Sequence, residues 1–284
     1  MVNLDRSRKM LRRLALYGGV TLFLFVALFP FLWVLVSSLH PTADLLQGRV
    51  RIPIGDPTFD HYLILFRAQY GVKVFSRFIL NSLKVGLGTA ALTMLIAALA
   101  AYGLSRYRLR GGESLSRMML FIYIFPISLA LMPIFELLAR LKLLDTHLGL
   151  ILIHTALAAP FCTWLLRSFF DAIPRELEEA AAVDGASRFQ AFVRILIPVT
   201  APGLLTAGVY ALVISWGEYT FAANLLISGA KWTAPLGLAT YMTEQAIEWG
   251  QLLAGTILTA IPLMLIFLPL ARYFLKGFLE GAIR

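Results

Sequence analysis

The chain has 284 residues, of which 59% are hydrophobic and 14% are charged, and its mean hydropathy is +0.79. Soluble domains typically carry about 25% charged residues. This composition therefore excludes an ordinary soluble domain and predicts an integral membrane protein. The formal net charge of +9 would suit a nucleic-acid partner, so the positions of the basic residues decide what it means.

Apolar stretches of about 20 residues are typical of transmembrane helices, and the sequence predicts six: residues 14–37, 80–104, 116–138, 148–169, 203–227 and 253–275. The first is too long for a secretory signal, whose apolar core has about 7–15 residues, so we expect an uncleaved anchor. The third contains Pro126 and Pro133, which a membrane helix tolerates as kinks. The prediction is an all-α membrane protein in which residues 1–284 form a single transmembrane domain.

The basic residues follow the predicted topology. With a cytoplasmic N-terminus, sixteen of the 25 fall in inner segments and eight in outer segments, as the positive-inside rule requires. Five of those eight lie in the first outer segment and run against the rule. The balance still predicts an N-in, C-in topology and disfavours nucleic-acid binding.

The second predicted helix has a face of small residues at helical spacing: Gly86, Ala90, Thr93, Ala97 and Ala101. Helices in membranes associate through close backbone approach, so this face predicts contact with another helix, in this chain or in a partner. The outer segments 38–79 and 228–252 are predicted to be loops that lie on the surface or contact a partner.

Cys162 is the only cysteine, so an intramolecular disulfide is impossible. Its position among Pro160, Phe161 and Trp164, in the middle of the fourth predicted helix, favours a small buried side chain.

Residues 174–203, PRELEEAAAVDGASRFQAFVRILIPVTAPG, predict two short helices joined by a turn. Pro174 suits a first helical turn, and the acidic residues that follow it favour the positive end of the helix dipole. Asp184 and Gly185 end this helix, with glycine able to form the left-handed cap. Ser187 and Gln190 predict a capping box that starts the second helix.

The second short helix places Phe189, Phe192, Val193 and Leu196 on one apolar stripe, which is expected to bury against the chain's own helices. The alanines of the first helix form a flat face that suits close packing with another protein. The alternative is an ordinary amphipathic loop on the membrane surface.

The spacing of residues in this segment resembles the cytoplasmic EAA loop of ABC importer permeases, which docks into a groove on the ATPase subunit. Ile197 stands where that family usually has leucine. The resemblance implies that the ATPase-coupling residues are Glu179, Ala180, Ala181, Asp184, Gly185, Ile195 and Pro198.

Further motifs resemble the carbohydrate, or maltose-type, branch of that family, and within it the smaller maltose permease subunit: FPFLW at 29–33, TFDHY at 58–62, LLDTHLGLIL at 143–152, PLGLATY at 235–241 and KGFLEGAI at 276–283. They cover nearly the whole chain. The resemblance implies a sugar permease that works with a second homologous permease, two ATPase subunits and an extracytoplasmic sugar-binding protein in a bacterial or archaeal cell membrane. Maltose, trehalose and related oligosaccharides are the favoured substrates.

The sequence predicts no catalysis by this chain. It contains no Gly-Lys-Ser or Gly-Lys-Thr, so it lacks a phosphate-binding P-loop, and ATP and Mg are expected on the partner ATPase. The four histidines have no metal-ligand spacing, so no metal or cofactor is expected here. The alternatives are an ABC permease for a non-sugar solute, such as glycerol phosphate, and a membrane-embedded enzyme.

Trp216, Glu218, Tyr219 and Asn224 are candidates for the substrate path. An ionisable residue within the membrane usually faces a cavity or a partner, and the rings of tryptophan and tyrosine offer flat apolar faces with polar edges that suit sugar rings. The family usually has Trp-Asn-Glu-Phe here, whereas this chain has Gly217 and Tyr219. The alternative is that Glu218 pairs with a polar group on a neighbouring helix.

Overall fold

The computed structural model describes residues 2–52, 55–67, 75–107, 110–124, 127–242 and 247–282. Within these ranges the chain is helical and has no β-strand, apart from an isolated bridge between Met242 and Ile247. The α-helices are α1 Val2–Ser38, α2 Thr42–Leu46, α3 Asp60–Phe66, α4 Phe75–Arg106, α5 Gly112–Phe121, α6 Leu131–Arg140, α7 His147–Asp171, α8 Glu176–Val183, α9 Arg188–Ala191, α10 Ile197–Val199, α11 Ala201–Trp216, α12 Thr220–Leu225, α13 Ala234–Ala239 and α14 Trp249–Ala282. Pro126 and Ile283, which belong to sequence patterns above, lie outside the described residues.

Four helical segments of the described chain are long and apolar enough to cross a membrane: Arg12–Ser38, Phe75–Arg106, His147–Asp171 and Trp249–Leu270. A fifth candidate is a bent pair in which Arg188–Val199 meets Ala201–Trp216 at 78°. These segments correspond to five of the six predicted spans. The chain is therefore a multi-pass, all-helical membrane protein.

The third predicted span is broken into pieces rather than continuous. It consists of α5, two 3-10 turns (Ile122–Ile124 and Ile127–Ala130) and α6. Pro133 is the third residue of α6, where the backbone N–H has no partner within the helix. This proline therefore lies in the first turn of a new helix instead of kinking a long one.

The fifth predicted span also ends earlier than expected. Helix α11 stops at Trp216, Gly217 follows as its C-terminal cap, and α12 begins at Thr220. Glycine is a poor helix former, and the Glu218 carboxylate accepts two backbone N–H groups of α12. The side chain thus competes with continuation of the helix.

The core of the membrane bundle is the contact of α4 with α7 and α11. The small-residue face of α4 is buried there, with Ala97 and Ala101 completely inaccessible, so its predicted helix partners lie in the same chain. A methyl group on Gly86 would lie 2.7 Å from Cδ1 of Leu212 on α11, which shows how closely the backbones approach. Cys162 lies buried in the same cluster, as expected.

The chain divides into two compact units, Met1–Arg67 with Tyr241–Leu258 and Ala68–Thr240 with Thr259–Arg284. In the first unit the predicted outer loop contains α2 and α3 and is held by polar contacts. The Ser38 and Tyr62 hydroxyls lie 2.6 Å apart, and His61 donates to the carbonyl of His40 at 2.9 Å. A side chain at Gly250 would overlap the His61 ring.

Candidate functional site

Residues 174–200 form an ordered helical turn, here called the surface turn, whose first arm is α8. This helix starts with Glu176, Glu178 and Glu179 in its first turn, so Pro174 lies just before the helix instead of inside it. Asp184 is the C-terminal cap, and Gly185 has a φ of +84°. Because L side chains rarely adopt that φ, the structure confirms the predicted glycine cap.

The second arm of the surface turn begins with the predicted capping box. The Gln190 N–H donates to Ser187 Oγ at 3.3 Å, and the Ser187 N–H donates to Gln190 Oε1 at 2.8 Å. Helix α9 continues into a π-helical turn, Phe192–Leu196, and then α10. The capping box defines where this arm begins from residues that are close together in the sequence.

The predicted apolar stripe of the second arm is divided between two environments. Phe192 and Leu196 are buried in the bundle core, where the Phe192 ring lies 4.8 Å from that of Tyr102. Phe189 and Val193 form the neighbouring i, i+4 row and remain exposed, with 70% of Phe189 accessible. The prediction that all four bury against the chain's own helices is therefore wrong for these two.

The predicted ATPase-coupling residues lie along both arms of the surface turn. On α8 and just after it, Glu179, Ala180, Asp184 and Gly185 are exposed and Ala181 is half-buried. Ile195 and Pro198 follow the capping box in the second arm. Ile195 packs against the core cluster while Pro198 is exposed. With Val183 88% exposed, the turn presents uncovered apolar surface of the kind that marks interaction sites.

The four predicted substrate-path residues do not converge on one site in this chain. Trp216 is buried, whereas Tyr219 is 47% exposed. Asn224 is also exposed, and its amide donates to the carbonyl of Thr220 within the same short helix. Glu218 is only 11% exposed and turns towards the bundle.

Glu218 ends a chain of buried polar side chains drawn from three helices. Its two oxygens accept backbone N–H groups of α12 at 2.8 and 3.1 Å, and Oε2 lies 3.2 Å from Nε2 of His154 on α7. Nδ1 of His154 lies 2.7 Å from the Ser215 hydroxyl, which donates to Thr89 Oγ1 at 3.4 Å. The structure thus gives Glu218 the structural pairing that was the alternative to sugar binding. Its role as a ligand stays a prediction.

Sequence reasoning missed an aromatic cluster beside the break in the third span. The Tyr123 hydroxyl donates to the carbonyl of Leu157 at 2.6 Å and accepts the N–H of Phe161 at 3.3 Å. The Phe161 ring lies 4.3 Å from Tyr210 and 5.9 Å from Trp164. The sequence signal was Pro160, which disturbs the helical bonding of α7, but nothing local indicated which side chain would repair it.

A second polar cluster joins the segment before α7 to the segment after α12. Asp145, at a φ of +53°, accepts the N–H groups of Ile227 and Ser228 and the ammonium of Lys231. Burial acts to raise the pKa of the Asp145 carboxyl, but the hydrogen bonds from Lys231 and Ser228 outweigh it and hold the pKa well below its usual range. The ionised Asp145 carboxylate therefore stabilises the fold at any pH above the ordinary carboxyl pKa. This stabilisation is lost only as the pH falls through the lowered pKa of Asp145.

Within the described part of the chain, no group of three histidine, cysteine or acidic residues is arranged to hold a metal ion. The histidines instead make hydrogen bonds within the fold, as His147 does to the carbonyl of Lys231 at 2.8 Å.

The chain matches the family model for the binding-protein-dependent transport system inner membrane component over residues 93–280. It is 30% identical over 278 residues to the inner membrane ABC transporter permease protein YcjP of Escherichia coli K12. The matched region covers 98% of this chain and 99% of that protein. It is 34% identical over 276 residues to the trehalose transport system permease protein SugB of Mycobacterium tuberculosis, covering 96% and 98%. A crystal structure of a bacterial ABC transporter involved in the import of the acidic polysaccharide alginate has a TM-score of 0.76 at 25% identity, covering 93% of this chain and 97% of that one.

The chain therefore belongs to the family of binding-protein-dependent transport system inner membrane components. This confirms the ABC permease identification made from its motifs. Its similarity to transport permeases agrees with the expectation of a non-catalytic subunit.

We predict that Glu218→Ala destabilises the protein even in the absence of sugar. The substitution removes the acceptor for two backbone N–H groups and leaves buried His154 without its carboxylate, which costs about 1–3 kcal/mol. Thermal unfolding of the detergent-solubilised protein measures the effect. Asn224→Ala, which removes an exposed polar side chain from the same segment, is the matched control. Equal melting temperatures for the two variants would contradict the structural role of Glu218.

Proposed function

We propose that this chain is the permease subunit of a binding-protein-dependent ABC importer for a sugar, with a di- or oligosaccharide such as maltose or trehalose as the substrate. The trehalose permease relative and the alginate importer structure support a carbohydrate substrate. The observation that carries the mechanism is the exposed, locally capped surface turn, because an importer without its own P-loop needs a surface that receives force from an ATPase.

In this proposal the chain pairs with a second homologous permease, and two ATPase subunits bind ATP and Mg below the surface turns. The exposed residues Glu179, Ala180 and Gly185 contact the ATPase. Closure of the ATPase dimer moves the turns together, and the helices rock between inward- and outward-facing states. An extracytoplasmic binding protein delivers the sugar, and its docking and ATP binding favour the same conformation.

The sugar path is proposed to run along exposed aromatic residues on the membrane bundle. Tyr219, Tyr123 and Trp164 are 47%, 45% and 40% exposed, so their rings offer apolar faces to a sugar. Glu218 accepts the N–H groups at the break between α11 and α12, where Trp216 is buried at the end of α11. Asn224 adds an exposed amide.

We infer a single transmembrane domain with six spans, N-in and C-in, in the inner membrane of a bacterium or archaeon. The division of basic residues between inner and outer segments supports this topology. It places the surface turn in the cytoplasm and the segment containing α2 outside.

The expected result of cysteine labelling follows from this topology. Val183→Cys, at an 88% exposed position, reacts with a membrane-impermeant maleimide only after spheroplasts are permeabilised, whereas Ile52→Cys, at a 71% exposed position, reacts in intact ones. The native Cys162 is fully buried and is replaced by serine in both variants. Labelling of position 183 in intact spheroplasts would rule out the proposed orientation.

Sugar-dependent ATP hydrolysis by the reconstituted complex tests the function itself. The chain, its companion permease, the ATPase and the binding protein are assembled in liposomes, and ATPase activity is measured across a panel of sugars. Stimulation by one sugar establishes both the coupling and the substrate. An intact complex that no sugar stimulates would favour a non-sugar permease, and failure to assemble with any ATPase would overturn the importer function.

We expect Gly185→Pro, or a charged residue at Ala181, to leave the protein inserted and to uncouple transport. Proline fixes φ near −65°, whereas Gly185 has a φ of +84°, so the turn between the two arms must change. Uptake into proteoliposomes should fall by about tenfold or more. Gly48→Pro, with a native φ of +66° in the first unit, is the control that carries a similar backbone change in a segment other than the surface turn. Normal uptake by the Gly185→Pro variant would count against the assignment.

A further inference from the structure

The first arm of the surface turn has no apolar anchor of its own. Helix α8 contains no buried residue, so apolar burial, which holds most surface helices to their domain, contributes little here. A cavity of about 290 Å³ lies between α8 and the end of α4, lined by Ala182, Tyr107 and Arg188 among others. Direct packing of α8 on α4 is therefore incomplete.

One sheltered ion pair bridges the two helices instead. The Arg106 guanidinium, in the last turn of α4, donates to the Glu178 carboxylate of α8, and the Tyr102 hydroxyl donates to the same carboxylate at 3.4 Å. The side chains of Arg106 and Glu178 are only 9% and 16% exposed. Exposed ion pairs contribute little, but removal of one partner from a sheltered pair leaves the other charge uncompensated.

Further polar contacts at the same place join the end of α7. Arg106 also donates to the carbonyl of Ile173 at 3.2 Å, and the Ser105 hydroxyl donates to Asp171 at 2.5 Å. The Arg175 guanidinium donates to the carbonyl of Ser105 at 3.0 Å. The end of α4 is thus connected to the residues on both sides of the junction between α7 and α8.

We propose that Glu178 and Arg106 are the positioning residues that transmit movement of α8 to α4. The proposal rests on the proposed importer function and adds to it a division of labour within the motif. Exposed Glu179 is free to meet the ATPase, whereas its neighbour Glu178 holds the turn to the membrane bundle. If the pair is lost, the ATPase can still dock and hydrolyse ATP, but less of its movement reaches α4.

The test compares Glu178→Gln with Glu176→Gln, which changes an exposed glutamate in the same helical turn. Each variant is reconstituted with its partners, and three quantities are measured: ATPase retained on purification, sugar-stimulated ATP hydrolysis, and sugar transported per ATP hydrolysed. For Glu178→Gln we expect ATPase binding to be retained and transport per ATP to fall by about fivefold or more. Glu176→Gln should match the wild type.

A charge-swapped variant, Arg106→Glu with Glu178→Arg, separates transmission from folding. Partial recovery of transport per ATP relative to Arg106→Glu alone supports a direct link between the two side chains. Unchanged transport per ATP in Glu178→Gln would overturn the proposal, and so would loss of ATPase binding in that variant, because Glu178 would then belong to the docking surface. A wild-type chain that binds no ATPase would instead refute the proposed function.

Discussion

Close backbone approach between α4, α7 and α11 is the constraint on which the rest of the structure depends. Lipid gives helices no hydrophobic reason to associate, so packing and polar contacts must hold them together. The alanines of α4 and the contact between Gly86 and Leu212 meet this requirement. Polar side chains that face inward at this contact can pair across the same three helices, as Ser215 of α11 does with His154 of α7 and Thr89 of α4.

Two irregular points in these helices are stabilised with the help of side chains that are distant in the sequence, His154 at one and Tyr123 at the other. An unsatisfied backbone group is costly in a membrane. At the break after Trp216, Glu218 accepts the free N–H groups of α12 and is itself held by His154. Beside Pro160, the Tyr123 hydroxyl lies between the N–H of Phe161 and the carbonyl of Leu157, two groups that would bond each other in a regular helix. Both irregularities are therefore satisfied within the protein and not by lipid.

The sequence could predict the features that depend on neighbouring residues, but not those that depend on contacts between distant ones. The Gly185 cap and the Ser187 capping box depend on neighbouring residues, so local pattern was sufficient. The small-residue face of α4 predicted close packing, but only the fold showed that its partners lie in the same chain. The pairing of Glu218 with His154 spans 64 positions, and no local signal connects them. The break in the third span was missed because the hydropathy of this stretch is continuous although its α-helix is interrupted.

The surface turn is connected to all three helices of the bundle core, and by different means. The chain itself continues from α7 into α8 and, past Thr200, from the second arm into α11 at 78°. The third connection, to α4, is made by the Arg106–Glu178 pair from the first arm and by the contact of Phe192 with Tyr102 from the second arm. The polar chain from Thr89 to Glu218 joins the same helices at another level of the bundle. Thr89 lies about 25 Å from Arg106 along α4, at about 1.5 Å per residue. A displacement of the turn that reached only α7 and α11 would have to shear them against α4 at this polar chain, whereas one that also reaches α4 can move the three helices together.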